Sequence, residues 1–124
     1  MINNLLAVFI GGGLGCLFRY GISILSGILL KTTLPAGTML SNILSCLTLS
    51  IFLLLFHDRV SANSAIRLLV LTGFCGGLST FSAFSYESVM LFRSGNILYG
   101  LANIIINIAV CFFLMAVLVK ERAA

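Results

Sequence analysis

Residues 73–87 read G-F-C-G-G-L-S-T-F-S-A-F-S-Y-E, a stretch rich in glycine and hydroxyl side chains inside a long hydrophobic segment. A helix that only spans lipid would carry Leu, Ile and Val here. Non-helical backbone at membrane depth is tolerated only where protein buries it or a polar cavity receives it. The stretch therefore predicts a functional break in a membrane helix, with backbone carbonyls and hydroxyls available to something other than lipid.

The composition of the whole chain indicates a polytopic membrane protein. Of its 124 residues, 60% are hydrophobic and 8% are charged, whereas charged residues make up about 25% of a soluble domain. At about 20 residues per span the length allows four helices. The apolar segments predict spans at residues 4–30, 36–56, 65–92 and 97–119. We therefore expect an all-α fold with a single four-helix transmembrane domain over residues 1–124, broken in its third helix, in the cell (inner or plasma) membrane.

The basic residues give little information about orientation. With four spans, one side of the membrane receives Arg59, Arg67, Lys120 and Arg122, and the other receives Arg19, Lys31 and Arg93. This distribution scarcely biases insertion, so both one orientation and two remain open. If both occur, two copies can pair antiparallel about a two-fold axis in the membrane plane. The basic residues are scattered and form no patch of the kind that binds nucleic acid.

Polar side chains recur at helical spacing in the second and fourth segments. The second carries Thr38, Asn42 and Ser45 on one face, and the fourth carries Tyr99, Asn103 and Asn107. Hydrogen bonding between helices explains most such residues in membranes. A polar track is the alternative, and for the fourth segment it is the interpretation that we favour, because three strong hydrogen-bonding groups share one stripe.

The third segment adds two phenylalanines and a carboxylate. Phe81 and Phe84 lie at i, i+3, and Glu87 is the only acidic residue inside a predicted span. Aromatic rings have partly positive edges, so ring edges beside amide and hydroxyl donors could hold an anion weakly, as conduction requires. Proton-coupled transporters need ionisable relays within the membrane. The predicted interior has almost none, which favours a passive route for a small ion.

Two further patterns have structural interpretations. Gly11 and Gly15 form a G-x-x-x-G pair, which typically allows close helix packing. Arg19 is costly inside an apolar segment unless it is paired, and we expect it to be an interfacial anchor or a partner of Glu87 or of loop carbonyls. The four cysteines fall one per predicted span without a C-x-x-C motif, which favours buried small apolar residues over a disulfide or a metal site.

Three motifs carry a resemblance to a known family. G-G-G-L-G-C-L-F-R-Y at residues 11–20, G-T-M-L-S-N at residues 37–42 and the stretch at residues 73–87 resemble the signatures of the Fluc (CrcB-type) fluoride channels. The resemblance covers nearly the whole chain. It implies a fluoride-selective passive channel that exports fluoride from a microbial cytoplasm, built as an antiparallel dual-topology homodimer with two pores.

The resemblance also implies roles for individual residues. A structural Na⁺ at the dimer interface would be bound by the backbone carbonyls of Gly76 and Ser79, and Arg19 and Glu87 would occupy charged positions at helix ends. The pore and fluoride-binding positions would be Asn42, Thr80, Phe81, Ser82, Phe84, Tyr99, Asn103 and Asn107. The chain departs from the family pattern at Ser79 and Ala83, which each replace a threonine.

Other functional classes fit less well. No nucleophile–base pair or ligand cluster indicates an enzyme. The main alternative is a small dual-topology, proton-coupled multidrug exporter, which would depend on a membrane-embedded carboxylate and for which only Glu87 qualifies. A non-transporting accessory subunit is a third possibility.

Overall fold

The computed structural model describes residues 1–56 and 64–120, and every regular element among these residues is a helix. The elements are α1 (Ile2–Leu29), α2 (Ala36–Phe56), α3 (Ala65–Arg67), a π-helix (Leu68–Cys75), α4 (Gly76–Leu78), α5 (Phe81–Arg93) and α6 (Ile97–Lys120). The predicted link at His57, Asp58 and Arg59, and Arg122 of the predicted charge distribution, lie outside the described residues.

Four segments are long and apolar enough to cross a membrane, and each coincides with one predicted span. They are Ile2–Leu29, Ala36–Phe56, Ala65–Arg93 and Ile97–Val119. Their outward faces carry large apolar side chains, whereas the buried residues include many polar ones: Ser26, Thr38, Ser41, Ser45, Ser50, Ser88, Asn103 and Asn107. An apolar exterior around a partly polar interior suits a protein that is solvated by lipid. The chain is a multi-pass membrane protein.

The third membrane segment changes backbone conformation near its middle. Helix α4 ends at Leu78, Ser79 and Thr80 are extended (ψ 157° and 117°), and α5 begins at Phe81. Local sequence favours this arrangement. The Ser79 hydroxyl donates to the Cys75 carbonyl (2.9 Å), and the Thr80 hydroxyl accepts the Ala83 N–H (3.2 Å) as an N-cap.

The two halves of this segment have different neighbours. The π-helix and α4 pack against α1, whereas α5 packs against α6. Helix α2 contacts both α1 and α6. The extended pair Ser79–Thr80 therefore lies where the segment passes from one side of the bundle to the other, next to α2.

Glycines bring α1 into backbone contact with the third segment. A Cβ atom on Gly15 would lie 2.2 Å from the Phe74 carbonyl oxygen, and one on Gly11 would lie 2.1 Å from that of Leu69. Real Cβ contacts never approach so closely, and the obstructing atoms are backbone. The G-x-x-x-G pair is thus a packing surface, as the sequence suggests.

We expect Gly15→Ala to destabilise the fold, because the added methyl group displaces backbone rather than a flexible side chain. Overpacking of this kind costs roughly 1–3 kcal/mol. Gly13→Ala is the matched control, since a Cβ atom there meets nothing within 4 Å and alanine favours a helix. Thermal unfolding in detergent micelles measures both variants. Equal unfolding midpoints for the two would contradict the packing argument.

Candidate functional site

Helix α2 is hydrogen-bonded to the extended pair in the third segment. The Thr80 N–H donates to Asn42 Oδ1 (2.8 Å), and the Ser45 hydroxyl donates to the Cys75 carbonyl (2.8 Å). In a continuous helix the Thr80 N–H would instead donate to the Gly76 carbonyl. Asn42 therefore stabilises a non-helical backbone by replacing the acceptor that the helix would have supplied.

Two backbone carbonyls lose their helical donors as a result. The Thr80 N–H, the helical partner of the Gly76 carbonyl, goes to Asn42. The Ala83 N–H, the helical partner of the Ser79 carbonyl, goes to the Thr80 hydroxyl. Oxygens freed in this way are ready to accept from, or to coordinate, another group.

From Asn42 a chain of side-chain hydrogen bonds runs through α6 to α5. Asn42 Nδ2 donates to Asn107 Oδ1 (3.0 Å), and Asn107 Nδ2 donates to Asn103 Oδ1 (2.9 Å). Asn103 Nδ2 donates to Ser88 Oγ (2.9 Å), whose hydroxyl donates to the Phe84 carbonyl (2.8 Å). We refer to these four side chains, Asn42, Asn107, Asn103 and Ser88, as the amide chain.

The ends of the amide chain fix the direction of every bond in it. A backbone N–H can only donate, and a backbone carbonyl can only accept. Because Thr80 supplies the donor at one end and Phe84 the acceptor at the other, each amide must accept through oxygen and donate through nitrogen. Asn107 uses both its N–H groups, on the side-chain and backbone oxygens of Asn103. Asn42 uses one of two, so within the described residues it keeps one N–H available.

A cavity of about 270 Å³ opens beside the start of the amide chain. Its lining combines the extended pair with α2, α5 and α6: Asn42, Cys46, Ser79, Thr80, Phe81, Phe84, Asn107, Ile108, Cys111 and Phe112. The lining is uncharged and mostly apolar: its polar groups are amides, hydroxyls and thiols, and aromatic rings and Ile108 make up the rest. The cavity can thus receive a small polar or anionic species without an ion pair.

The two predicted phenylalanines adjoin each other but differ in exposure. The ring centroids of Phe81 and Phe84 are 5.5 Å apart, with a tilt of 49° between the rings. Phe84 is 7% exposed and packed in the interior, whereas Phe81 is 79% exposed. One ring therefore belongs to the core of this chain, and the other extends from its surface beside the cavity.

The remaining predicted site residues lie in several places. Asn103 is fully buried within the amide chain, so the structure joins it to Asn42 and Asn107. Ser82 is exposed and its hydroxyl lies 3.3 Å from that of Thr80. Tyr99 is 42% exposed near the start of α6. Of the predicted stripe, only Asn107 lines the cavity, whereas Tyr99 and Asn103 do not.

The two predicted charged positions have separate partners. Arg19 Nε donates to the Gly77 carbonyl (3.1 Å), just before the extended pair. Glu87 Oε1 accepts from the Thr38 hydroxyl (2.7 Å), at a second, polar pocket of about 230 Å³ that also includes Ser23, Ser26 and Thr32. Of the partners considered for Arg19, the structure thus gives it a backbone carbonyl. Glu87 Oε2 and Ser41 Oγ are buried without a hydrogen-bond partner among the described residues.

Sequence reasoning missed three residues of this region. Ser88 links the amide chain to α5; it lies four positions after Phe84, on the same helix face, and that spacing was the available signal. Cys46 and Cys111 line the cavity, whereas their distribution of one cysteine per span predicts only packing residues. Each lies four positions after an asparagine of the chain, Asn42 or Asn107, and that spacing was the available signal.

Comparison with known proteins places this architecture in a family. Residues 6–119 match the family described as CrcB-like protein, Camphor Resistance (CrcB). The chain belongs to the CrcB-like family. Relatives of this CrcB-like chain include a protein of Serratia proteamaculans that is 40% identical over 109 residues, which is 88% of this chain and 85% of the relative. A Clostridium perfringens protein is 38% identical over 118 residues, 95% of this chain and 91% of the relative. Both are named Fluoride-specific ion channel FluC.

We expect Asn107→Asp to disrupt the amide chain. The new carboxylate oxygen cannot donate to Asn103, and it places an acceptor against two other acceptors. Leaving buried polar groups unsatisfied costs roughly 1–3 kcal/mol. Thermal unfolding in micelles should show a lowered midpoint.

The matched control for this prediction is Asn96→Asp. Asn96 precedes α6, where its amide donates to the Ser94 hydroxyl in an exposed contact, and Asp is as favourable as Asn before a helix. A midpoint for Asn107→Asp as high as that of Asn96→Asp would show that the amide chain contributes nothing to stability.

Proposed function

We propose that this protein is a passive, fluoride-selective channel that lets fluoride leave the cytoplasm. The observation that carries the proposal is the convergence of uncharged hydrogen-bond donors on one cavity at the start of α5. Several relatives of the chain are named fluoride-specific ion channels. The same chemistry follows from the residues themselves.

The start of α5 supplies part of an anion site. The first N–H groups of a helix have no partner within it, and this end carries a partial positive charge. Here the Phe81 and Ser82 N–H groups begin a helix in the interior of a membrane segment, next to the cavity. Discontinuous membrane helices orient this end towards anions in transporters. The free N–H of Asn42 and the edges of Phe81 and Phe84 add weak donors.

Weak, uncharged donors suit conduction better than a cationic site does. A small anion must shed water to enter, and each donor replaces part of its hydration. An ion held too tightly does not leave. In this proposal Asn42, Thr80, Phe81 and Phe84 contact the passing ion, whereas Asn103 and Asn107 orient Asn42. Ser82 and Tyr99 then serve the approach to the cavity.

We further propose that the working form is an antiparallel dual-topology homodimer with two pores. Polar backbone at membrane depth must be covered by protein or by a polar cavity. A single chain leaves Gly76 and Phe81 exposed next to the extended pair, and a second copy of the same surface would cover them. A two-fold axis in the membrane plane would duplicate the cavity.

A structural Na⁺ at that interface is part of the proposal. The Gly76 and Ser79 carbonyls lack their helical donors, as described above, and hard cations prefer such oxygens. A Cβ atom added to Gly76 would meet nothing within 4 Å, so its backbone is open to a partner. These two residues of each copy would hold the ion. A fixed cation there offsets part of the cost of desolvating an anion nearby.

Fluoride efflux from liposomes that contain only this protein tests the channel directly. We expect fluoride to leave down its gradient without a proton gradient, at least 100-fold faster than chloride under the same conditions. Protein-free liposomes are the control. Chloride efflux as fast as fluoride efflux would overturn the proposal, and fluoride efflux that requires a proton gradient would overturn its passive nature.

Glu87→Gln separates the channel from a proton-coupled multidrug exporter. The variant keeps the Oε1 acceptor that the Thr38 hydroxyl uses, and Glu87 does not line the cavity of Asn42. A channel should retain fluoride efflux within about tenfold of the parent rate, a 1.4 kcal/mol change in barrier. An exporter loses transport altogether, so abolished efflux by a folded variant would favour the exporter.

Replacing Na⁺ by N-methyl-D-glucamine during purification tests the sodium site. We expect a lower unfolding midpoint and a larger monomer fraction on size exclusion, because a ligand bound only to the native dimer stabilises it, by about 2.7 kcal/mol at 100 times its Kd. Ser79→Ala should still respond to Na⁺, since it keeps the carbonyl. Identical behaviour of the parent protein with and without Na⁺ would count against the site.

A further inference from the structure

The contact between α2 and α6 is a ladder of matched side-chain pairs. Asn42 Nδ2 donates to Asn107 Oδ1 (3.0 Å), and Ser50 Oγ contacts Met115 Sδ (2.9 Å); both pairs are separated by 65 residues. A constant separation means that the two helices run parallel and in register over two turns. Residues four apart lie on the same face, so a middle pair is expected between these two.

Cys46 and Cys111 form that middle pair. They have the same separation of 65 residues in sequence, so the register of the two helices places them opposite each other between the other two pairs. Both are partly exposed, unlike the buried Cys75 and the exposed Cys16. Both also line the 270 Å³ cavity together with Asn42 and Asn107. The structure thus places two thiols on facing helices, at the same level of one cavity, where a species entering the cavity can reach them.

We propose that Cys46 and Cys111 form a two-thiol site for a soft divalent cation of the mercury(II) class, and that its occupancy closes the cavity. Soft thiolates select soft metal ions. The reaction is Hg²⁺ + 2 RSH → RS–Hg–SR + 2 H⁺, in which two S–H bonds are replaced by two S–Hg bonds, both protons are released, and no electron is transferred.

The charge of the product distinguishes this metal class from others. Two thiolates and one Hg²⁺ make a neutral complex, which avoids the cost of burying a charge in the membrane interior. A monovalent soft ion on the same two thiolates would leave a buried negative charge. Structural zinc sites use four ligands, and the described residues contain no group of three or more His, Cys, Asp and Glu suited to a metal.

Closure follows from the position of the pair. The thiols lie one helical turn beyond Asn42 and Asn107, on the wall of the same cavity. A metal ion bridging them joins α2 to α6 beside the groups that we propose to contact the passing ion. The effect on transport, though not the metal site itself, rests on the proposed function.

The site can be tested with Hg²⁺ on the full-length protein in micelles, using Cys16→Ser as the parent to remove the exposed thiol. We expect one Hg²⁺ per chain by near-ultraviolet thiolate absorbance. Mass spectrometry after maleimide labelling should show two thiols protected, even against an equimolar monothiol. Adding Cys46→Ser or Cys111→Ser to this parent should lower the retention of Hg²⁺ against the monothiol at least 100-fold. Adding Cys75→Ser should leave that retention unchanged. Retention that is unaffected by removing Cys46 or Cys111 would overturn the site.

The effect on transport is tested with the same variants in liposomes. The fluoride efflux rate of each variant is compared with its own rate before metal is added. Hg²⁺ should lower fluoride efflux through the Cys16→Ser parent at least tenfold, and a dithiol should restore it. The variant that also lacks Cys46 should be resistant. Metal bound to the pair with unchanged efflux would overturn closure. No efflux before metal is added would instead refute the proposed function and leave the binding result standing.

Discussion

The hydrogen bond from the Thr80 N–H to Asn42 Oδ1 is the contact on which the architecture depends. At 2.8 Å, it takes a donor that a continuous third helix would have used internally. In this way it stabilises the extended pair Ser79–Thr80, starts α5 inside the bundle and frees the Gly76 carbonyl. Through its nitrogen, the same amide sets the direction of every bond in the amide chain. One side chain on α2 therefore determines both the backbone and the polar interior.

Hydrophobic burial cannot hold such a bundle together, because lipid tails are as apolar as the helix surfaces that they contact. Two other interactions remain. Backbone contact at Gly11 and Gly15 fixes α1 against the third segment, and hydrogen bonds fix α2, α5 and α6 to one another. These two kinds of contact correspond to the two halves of the third membrane segment, because its first half packs on α1 and its second half packs on α6. The extended pair joins the two systems, which is why local unfolding there would disturb both.

Much of this could be predicted from the sequence, and the rest depends on how helices align. Composition and residue spacing were sufficient to predict the four spans, the glycine contact between helices and the helix face shared by Asn103 and Asn107. The π-helix, the link through Ser88 and the thiol pair were not predictable, because each requires the register between helices far apart in sequence. Arg19 illustrates the same limit. Its need for a partner was clear, but the choice of the Gly77 carbonyl depends on a contact 58 residues away.

The number of hydrogen-bond donors available in the cavity explains why a second chain matters for the proposed conduction of fluoride. Asn107 has no N–H to spare, and Asn42 has one, since its oxygen is occupied by Thr80 and its other N–H by Asn107. A dehydrating anion needs several donors at once, so Asn42 alone would hold it too poorly to replace its water. The N–H groups that begin α5 and the exposed Phe81 ring add to the site, yet one side of the cavity stays open. In the proposed dimer, a second copy would close this side of the cavity and would also cover the exposed backbone.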